Sequence, residues 1–224
     1  MIELRNVCFR VDQRHLLANL NLQLSERRIA VIGANGSGKS TFARLLNGLL
    51  LPSEGEVRVE GLNTHQHGSD VRRLVGFVFQ NPDNQMVFPT VAEDLAFGLN
   101  NLGMGKAETA QRVDAMLESL GLGGFGERLI HQLSGGEKQL VAIAGVLLMK
   151  PQVIVFDEPT TLLDLKNKKR IAQEIAELDQ QVILVAHDLD LMANYDRVLC
   201  FDQGQLVRDG APADVITYYS AQCG

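Results

Sequence analysis

Apolar and polar positions alternate through the first thirty residues, with Ile2, Leu4 and Val7, then Leu20, Leu22 and Leu24 on one side of the pattern. A period of two belongs to half-buried antiparallel strands. Residues 29–32 break the alternation with a continuous apolar run that ends in a glycine-rich turn. Phe42, Leu45, Leu46 and Leu49 then recur at helical spacing, closed by Gly48 or by the turn over 52–55. This stretch predicts strand, loop and helix. Further short apolar runs at 75–79, 153–156, 182–186 and 198–201 read as strands. Continuous apolar strands separated by helical stretches make a parallel sheet covered on both faces. Between 82 and 150 the pattern is helical, over 93–100, 108–120 and 134–149, with glycines at 121, 123, 124 and 126 loosening one connection. The pattern as a whole predicts one α/β domain over 1–224. Its core is formed by 1–82 and 151–224, with a mainly parallel sheet and N-terminal antiparallel strands, and a helical subdomain is inserted at 83–150.

Composition narrows the function classes. A hydrophobic fraction of 46% supports a packed interior and excludes disorder. Lys and Arg total 21 against 27 Asp and Glu, a net charge of −6, which argues against nucleic acid as a partner. The longest apolar run, Leu140 to Met149, is a core helix, because a membrane span needs about twenty residues. The N-terminal residues carry Glu3, Arg5 and Arg10 and lack the apolar centre of a signal peptide. Cys8, Cys200 and Cys223 form no CxxC pair, so reduced thiols in a cytosol are expected.

Three segments carry chemistry. Gly33-Ala34-Asn35-Gly36-Ser37-Gly38-Lys39-Ser40-Thr41 fits G-x-x-x-x-G-K-[ST] between a strand and a helix. Glycines there turn backbone N–H groups inward around phosphate oxygens, and the helix adds its positive end. Lys39 is then placed for the β- and γ-phosphates and Ser40 for Mg²⁺. Residues 153–156 are a buried strand that delivers Asp157 and Glu158 to the carboxyl edge of the sheet, where open α/β folds bind ligands. Asp157 suits Mg²⁺, and Glu158 is placed to orient or deprotonate an attacking water. Leu133-Ser134-Gly135-Gly136-Glu137 reads both as a capping box and as an anion site at a helix start. Thr90-Val91-Ala92-Glu93 has the same cap signature without glycines and reads as structural only. His65 and His67 read as a solvated loop, and Lys166, Lys168, Lys169 and Arg170 as a solvated helix face.

The phosphate loop, the LSGGE segment, the strand ending in Asp157-Glu158 and His187 closing VILVAH occur in one order. Together they resemble the nucleotide-binding subunits of ABC transporters over nearly the whole chain. LSGG between two phosphate-binding elements separates that family from kinases and GTPases. The resemblance implies a P-loop NTPase fold, ATP and Mg²⁺ as cofactors, and two subunits, expected as a homodimer, facing head to tail. Each ATP would lie between the phosphate loop of one subunit (Asn35, Gly36, Ser37, Gly38, Lys39, Ser40 and Thr41) and the partner's copy of Ser134, Gly135, Gly136 and Glu137. A monomer would be inactive. By the same resemblance Gln80 is the lid glutamine meeting Mg²⁺ and the attacking water, His187 contacts the γ-phosphate, and Asp164 belongs to a loop that crosses the dimer.

A narrower resemblance lies at 79–103, FQNPDNQMVFPTVAEDLAFGLNNLG. It is similar to the ATPases of energy-coupling-factor importers for vitamins and for cobalt or nickel. It implies a peripheral protein on the cytoplasmic face of the cell membrane, with a transmembrane coupling protein and a substrate-binding membrane protein as partners. Met86, Val87 and Phe88 read either as part of that docking segment or as subdomain core. The chain ends soon after 206–211, a compactness similar to that of biotin-type importers. Three positions depart from the family. Val11 stands where an aromatic usually stacks on adenine, with Phe9 and His15 as alternatives. Leu140 stands where many relatives carry Arg, and Thr161-Leu162-Leu163-Asp164 is bulkier than usual. Two other functions bear on the same residues. A soluble ABC protein of repair or translation would fuse two nucleotide domains or carry coiled-coil insertions. A non-hydrolysing ATP sensor is opposed by intact Glu158 and His187.

Overall fold

In the computed structural model, which describes residues 1–223, ten strands and seven α-helices form. The strands are β1 (Ile2–Val11), β2 (Arg14–Leu24), β3 (Arg28–Gly33), β4 (Glu54–Val59), β5 (Leu62–Asn63), β6 (Val75–Val78), β7 (Val153–Asp157), β8 (Gln181–Val185), β9 (Arg197–Asp202) and β10 (Gln205–Gly210). The helices are α1 (Lys39–Leu46), α2 (Gly68–Leu74), α3 (Val91–Asn101), α4 (Lys106–Ser119), α5 (Gly135–Leu148), α6 (Leu165–Glu177) and α7 (Pro212–Cys223). They group into two compact units. The first holds Met1–Phe77, Gln152–Glu158 and the residues from Leu178 onward; the second holds Val78–Pro151 and Pro159–Glu177.

In the first unit the N-terminal alternation becomes an antiparallel sheet of order β2-β1-β4-β5. Its register sets Ile2 against Leu24, Leu4 against Leu22 and Val7 against Leu20, so the buried residues of adjacent strands share one face. The second sheet has the order β10-β9-β3-β8-β7-β6. β3 lies parallel to both β8 and β9, β7 parallel to β8, and β10 antiparallel to β9 at the edge. Ile29, Ala30, Val31 and Ile32 are at most 1% exposed, as a central strand covered on both faces requires. Phe42 of α1 stacks on Phe201 of β9 with ring centroids 4.9 Å apart, fixing the helix over the sheet.

Arg197, at the start of β9, ties the edges of the two sheets. Its guanidinium donates twice to Asp209 at 2.6 Å, to Gln23 O at 2.7 Å and to Glu26 at 3.1 Å. The Asp209 hydrogen bond raises its pKa, as expected for a paired guanidinium. Arg197→Met keeps most of the stem packing and leaves two carboxylates and a carbonyl without this donor. It is expected to cost about 2–4 kcal/mol of unfolding free energy in a urea titration. A loss below about 0.5 kcal/mol would show that solvent replaces the clamp.

The second unit is helical. α5 buries Leu140, Val141, Ala142, Ile143 and Ala144 on all sides, the pattern of a central helix. Leu140 is fully buried, so its apolar side chain serves packing. Both cap signatures form as complete capping boxes, Thr90 with Glu93 on α3 and Ser134 with Glu137 on α5. α2, β4 and β5 carry too weak a pattern to be anticipated; α2 buries only Val71. Val87 is 76% exposed, so the core reading does not hold for it, while Met86 and Phe88 are half-buried. Among the described residues no helix is long and apolar enough to cross a membrane.

Candidate functional site

β3 leads straight into the glycine loop at the carboxyl edge of the sheet. Gly38 has φ 103°, and a Cβ there would stand 2.8 Å from Leu16 O and from Leu17 Cδ2, so conformation and space both require glycine. α1 begins at once, and its first-turn N–H groups, which have no partner within the helix, add to those of the loop. Lys39 is 4% exposed, and its ammonium donates to Gly33 O at 2.9 Å and Ala34 O at 3.0 Å. Burial lowers its pKa, opposed by the negative charges of Glu158 and Asp157. Ser37 is 3% exposed, and its Oγ has no hydrogen-bond partner among the described residues. Asn35 and Gly36 are exposed at the tip, and Ser40 and Thr41 are half-buried on α1.

β7 delivers the two acids. Asp157 is 2% exposed; its Oδ1 accepts from Ser40 Oγ at 2.8 Å, and Arg44 Nη2 lies 3.7 Å from its Oδ2. Burial pushes this carboxyl above the ordinary aspartate range, against the Ser40 hydrogen bond and the Arg44 charge. Glu158 has φ 51°, a left-handed backbone that costs a β-carbon residue on the order of 1 kcal/mol. Its N–H donates to Val185 O at 2.9 Å, and its Oε1 stands 2.8 Å from His187 Nε2. The end of β8 therefore fixes the acid twice, through the strand carbonyl and through the histidine beyond it. Loop, Lys39, Ser40, Asp157, Glu158 and His187 all belong to the first unit. Arg44 is missing from the set that the motifs name. Its legible signal is its place four residues after Ser40, one turn along the same helix face.

Gln80, the LSGGE segment and Asp164 belong to the second unit. Ser134 Oγ accepts the Glu137 N–H at 3.3 Å, while Glu137 Oε2 accepts the Ser134 N–H at 2.7 Å. The Ser134 side chain also hydrogen-bonds the Glu137 carboxylate, and this bond, with the backbone one, holds that carboxyl below the ordinary glutamate range. Gly136 packs against Asn167 so closely that a Cβ would overlap its side chain, and Gly135 faces Leu163. A cavity of about 150 Å³ is lined by Gln80, Asp83, Gly135, Lys138, Leu162 and Leu163 among others. The loop after Gln80 is latched to α5 by Lys138–Asp83 at 2.6 Å and Gln85 Nε2 to Ala142 O at 2.8 Å. Asp164 caps α6, accepting from the Asn167 N–H at 2.9 Å, and that bond holds its carboxyl below the ordinary range. Leu162 is 67% exposed. Val11 ends β1 opposite Arg14 and is 48% exposed; Phe9 is half-buried and His15 exposed.

Residues 17–161 match a family model described as ABC transporter. An ABC transporter ATP-binding protein of Deinococcus radiodurans is 57% identical over 98% of this chain and 97% of its own length. The biotin transport ATP-binding protein BioM of Rhizobium etli is 45% identical over 92% of each chain. Among solved structures, cbiO1 of Clostridium perfringens, part of the ABC transporter complex cbiONQ, superposes with a TM-score of 0.85 at 31% identity, covering 99% of this chain and 92% of that one.

Proposed function

The chain belongs to the ABC transporter family and is an ATPase, and from that premise we propose that it energises an energy-coupling-factor importer for a micronutrient. A vitamin such as biotin is the first cargo to test and cobalt the second, since a biotin transport relative is 45% identical and a cobalt import relative 44%. ATP is held between two copies, the phosphate loop of one facing Ser134, Gly135, Gly136 and Glu137 of the other. A two-fold axis makes both sites from one kind of chain.

The residues divide the work by their chemistry. Loop N–H groups and the Lys39 ammonium hold the β- and γ-phosphates, with the unpaired Ser37 hydroxyl beside them. Ser40 and Asp157 fit Mg²⁺: a hydroxyl and a buried carboxylate 2.8 Å apart are hard oxygen donors whose negative charge favours a cation. Gln80 is assigned to the same metal. When bound, Mg²⁺ offsets charge on the β- and γ-phosphate oxygens. Glu158 accepts the proton of the attacking water, and His187 holds that carboxylate in place while its exposed edge meets the γ-phosphate. Asp164 contributes at the dimer seam while capping its own helix. Val11 offers adenine an apolar contact in place of a stacked ring.

The membrane partner is supported by a groove of about 480 Å³ between α3 and α4, lined by Ala92, Ala96, Ala110 and Val113 with Lys106 and Asp114 at its rim. Small side chains let a helix approach closely. Phe97, 48% exposed, stacks on Phe88 at 5.1 Å, and with Val87 it extends the apolar surface of the 79–103 segment. We assign this surface to a coupling helix of the transmembrane protein, which places the chain at the cytoplasmic face of the membrane as a peripheral subunit.

Purification from membranes in mild detergent tests the assignment. A polytopic coupling protein and a second, vitamin-binding membrane protein are expected to co-purify. Ala96→Arg should lower their recovery at least tenfold, with the ATPase activity of the isolated chain unchanged. Recovery of neither membrane protein, or equal recovery with the Arg variant, would refute the importer reading and leave the ATPase intact.

A further inference from the structure

Asp157 carries a second cation that no motif names. Ser40 and Arg44 lie one turn apart on α1 and each addresses one oxygen of the same carboxylate, Ser40 Oγ at 2.8 Å from Oδ1 and Arg44 Nη2 at 3.7 Å from Oδ2. The pair is lopsided: the Asp157 side chain is 3% exposed and that of Arg44 is 44% exposed. At 3.7 Å the contact is an ion pair and not a hydrogen bond, so no directional bond must break for the guanidinium to move. Its exposed side is already served by water. The carboxylate has no such access to water; the positive charges of Arg44 and Lys39 face it, with the negative charge of Glu158 opposing them.

We propose that Arg44 is a positioning residue, a displaceable counter-ion that holds the Asp157 carboxylate in place when no metal is bound and that opposes the arrival of Mg²⁺. This rests on the assignment of Mg²⁺ to Ser40 and Asp157. Two cations drawn to one carboxylate repel each other, so metal binding drives the guanidinium outward along its exposed side. The arrangement lets the apo protein fold around a buried acid without a metal, at the expense of part of the affinity for Mg²⁺. A merely structural Arg44, one that only packs along α1, would have no dependence on Asp157.

The test uses full-length protein and two readouts. In the first, the dissociation constant of a fluorescent ATP analogue is measured in Mg²⁺ and in EDTA for the unaltered chain, Arg44→Gln and Arg44→Lys. The Gln variant is expected to raise the ratio of Mg²⁺ to EDTA affinity by at least threefold through its Mg²⁺ arm, and the Lys variant to stay near the unaltered ratio. In the second, melting temperatures without metal or nucleotide are measured for Arg44→Gln, Asp157→Asn and the double variant. The Gln change is expected to lower the melting temperature beside Asp157 and to have little effect beside Asn, which has no charge to balance. An unchanged affinity ratio, or an equal melting loss in both backgrounds, would overturn the counter-ion role. Failure of the unaltered chain to bind the analogue in either buffer would instead remove the nucleotide-site reading, and the inference with it.

Discussion

Glu158→Gln is expected to cut ATP turnover at least 100-fold, with the affinity for ATP within about threefold of the unaltered protein. The amide keeps the size of the side chain and still accepts a hydrogen bond from His187 Nε2, which stands 2.8 Å from the present Oε1. It also leaves the N–H of residue 158 bonded to Val185, so the left-handed backbone survives the exchange. Only the basicity is removed. A subunit that binds ATP and cannot activate water should accumulate in the ATP-held state, visible as an ATP-dependent dimer by size-exclusion chromatography. An ATP sensor without turnover would show neither change. A Gln variant retaining more than a tenth of the activity would transfer the role of base to another group, with His187 next to be examined.

A second large effect is expected at Ser134, which caps α5 and which the proposed sandwich sets against the partner's nucleotide. In this structure the lone pair of Oγ serves the Glu137 N–H and the hydroxyl bonds the Glu137 carboxylate, so in the proposed sandwich the proton turns from that carboxylate to the partner's nucleotide. Ser134→Ala loses both functions and is expected to lower stability by about 1 kcal/mol along with activity. Ser134→Asp separates them. Aspartate is as good an N-cap as serine, so stability should stay within about 0.5 kcal/mol. Its charge, however, would face the phosphates of the partner's nucleotide and replace a donor, and turnover should fall at least 100-fold. Unfolding curves and steady-state ATPase rates on the same preparations check both halves. An Asp variant that remains active would reduce the segment to a helix cap.

Features whose cause is local were legible in the chain. The runs that became β3, β7, β8 and β9 are apolar on both faces, so their burial follows from composition over a few residues. The two capping boxes form because serine or threonine and glutamate stand three residues apart, a distance that the helix turn itself sets. The phosphate loop is equally local. Features set by distant partners were not legible. The left-handed turn at Glu158 depends on a carbonyl of β8, and the Arg44–Asp157 pair on the packing of α1 against β7. Asp164 shows the limit from the other side. Resemblance assigns it to the dimer seam, while Asp164 and Asn167, three residues apart, also make an ordinary cap for α6 that could have been read directly. Val87 is apolar by type and exposed by position, and a hydrophobic letter alone does not separate a core residue from a docking residue.

The order of the main sheet has a consequence for how the protein is made. β3 carries the phosphate loop and is flanked by β8 and β9, yet it ends at Gly33 while those neighbours begin at Gln181 and Arg197. On a ribosome moving at about 5–20 residues per second, this buried central strand waits on the order of ten seconds for either edge to be covered. Nucleotide cannot be gripped during that wait, because the carboxyl edge of the sheet does not yet exist. ATP capture by a nascent chain would therefore mark near-completion of synthesis, and chaperone demand should fall on the interval between the first glycine of the loop and the emergence of β9.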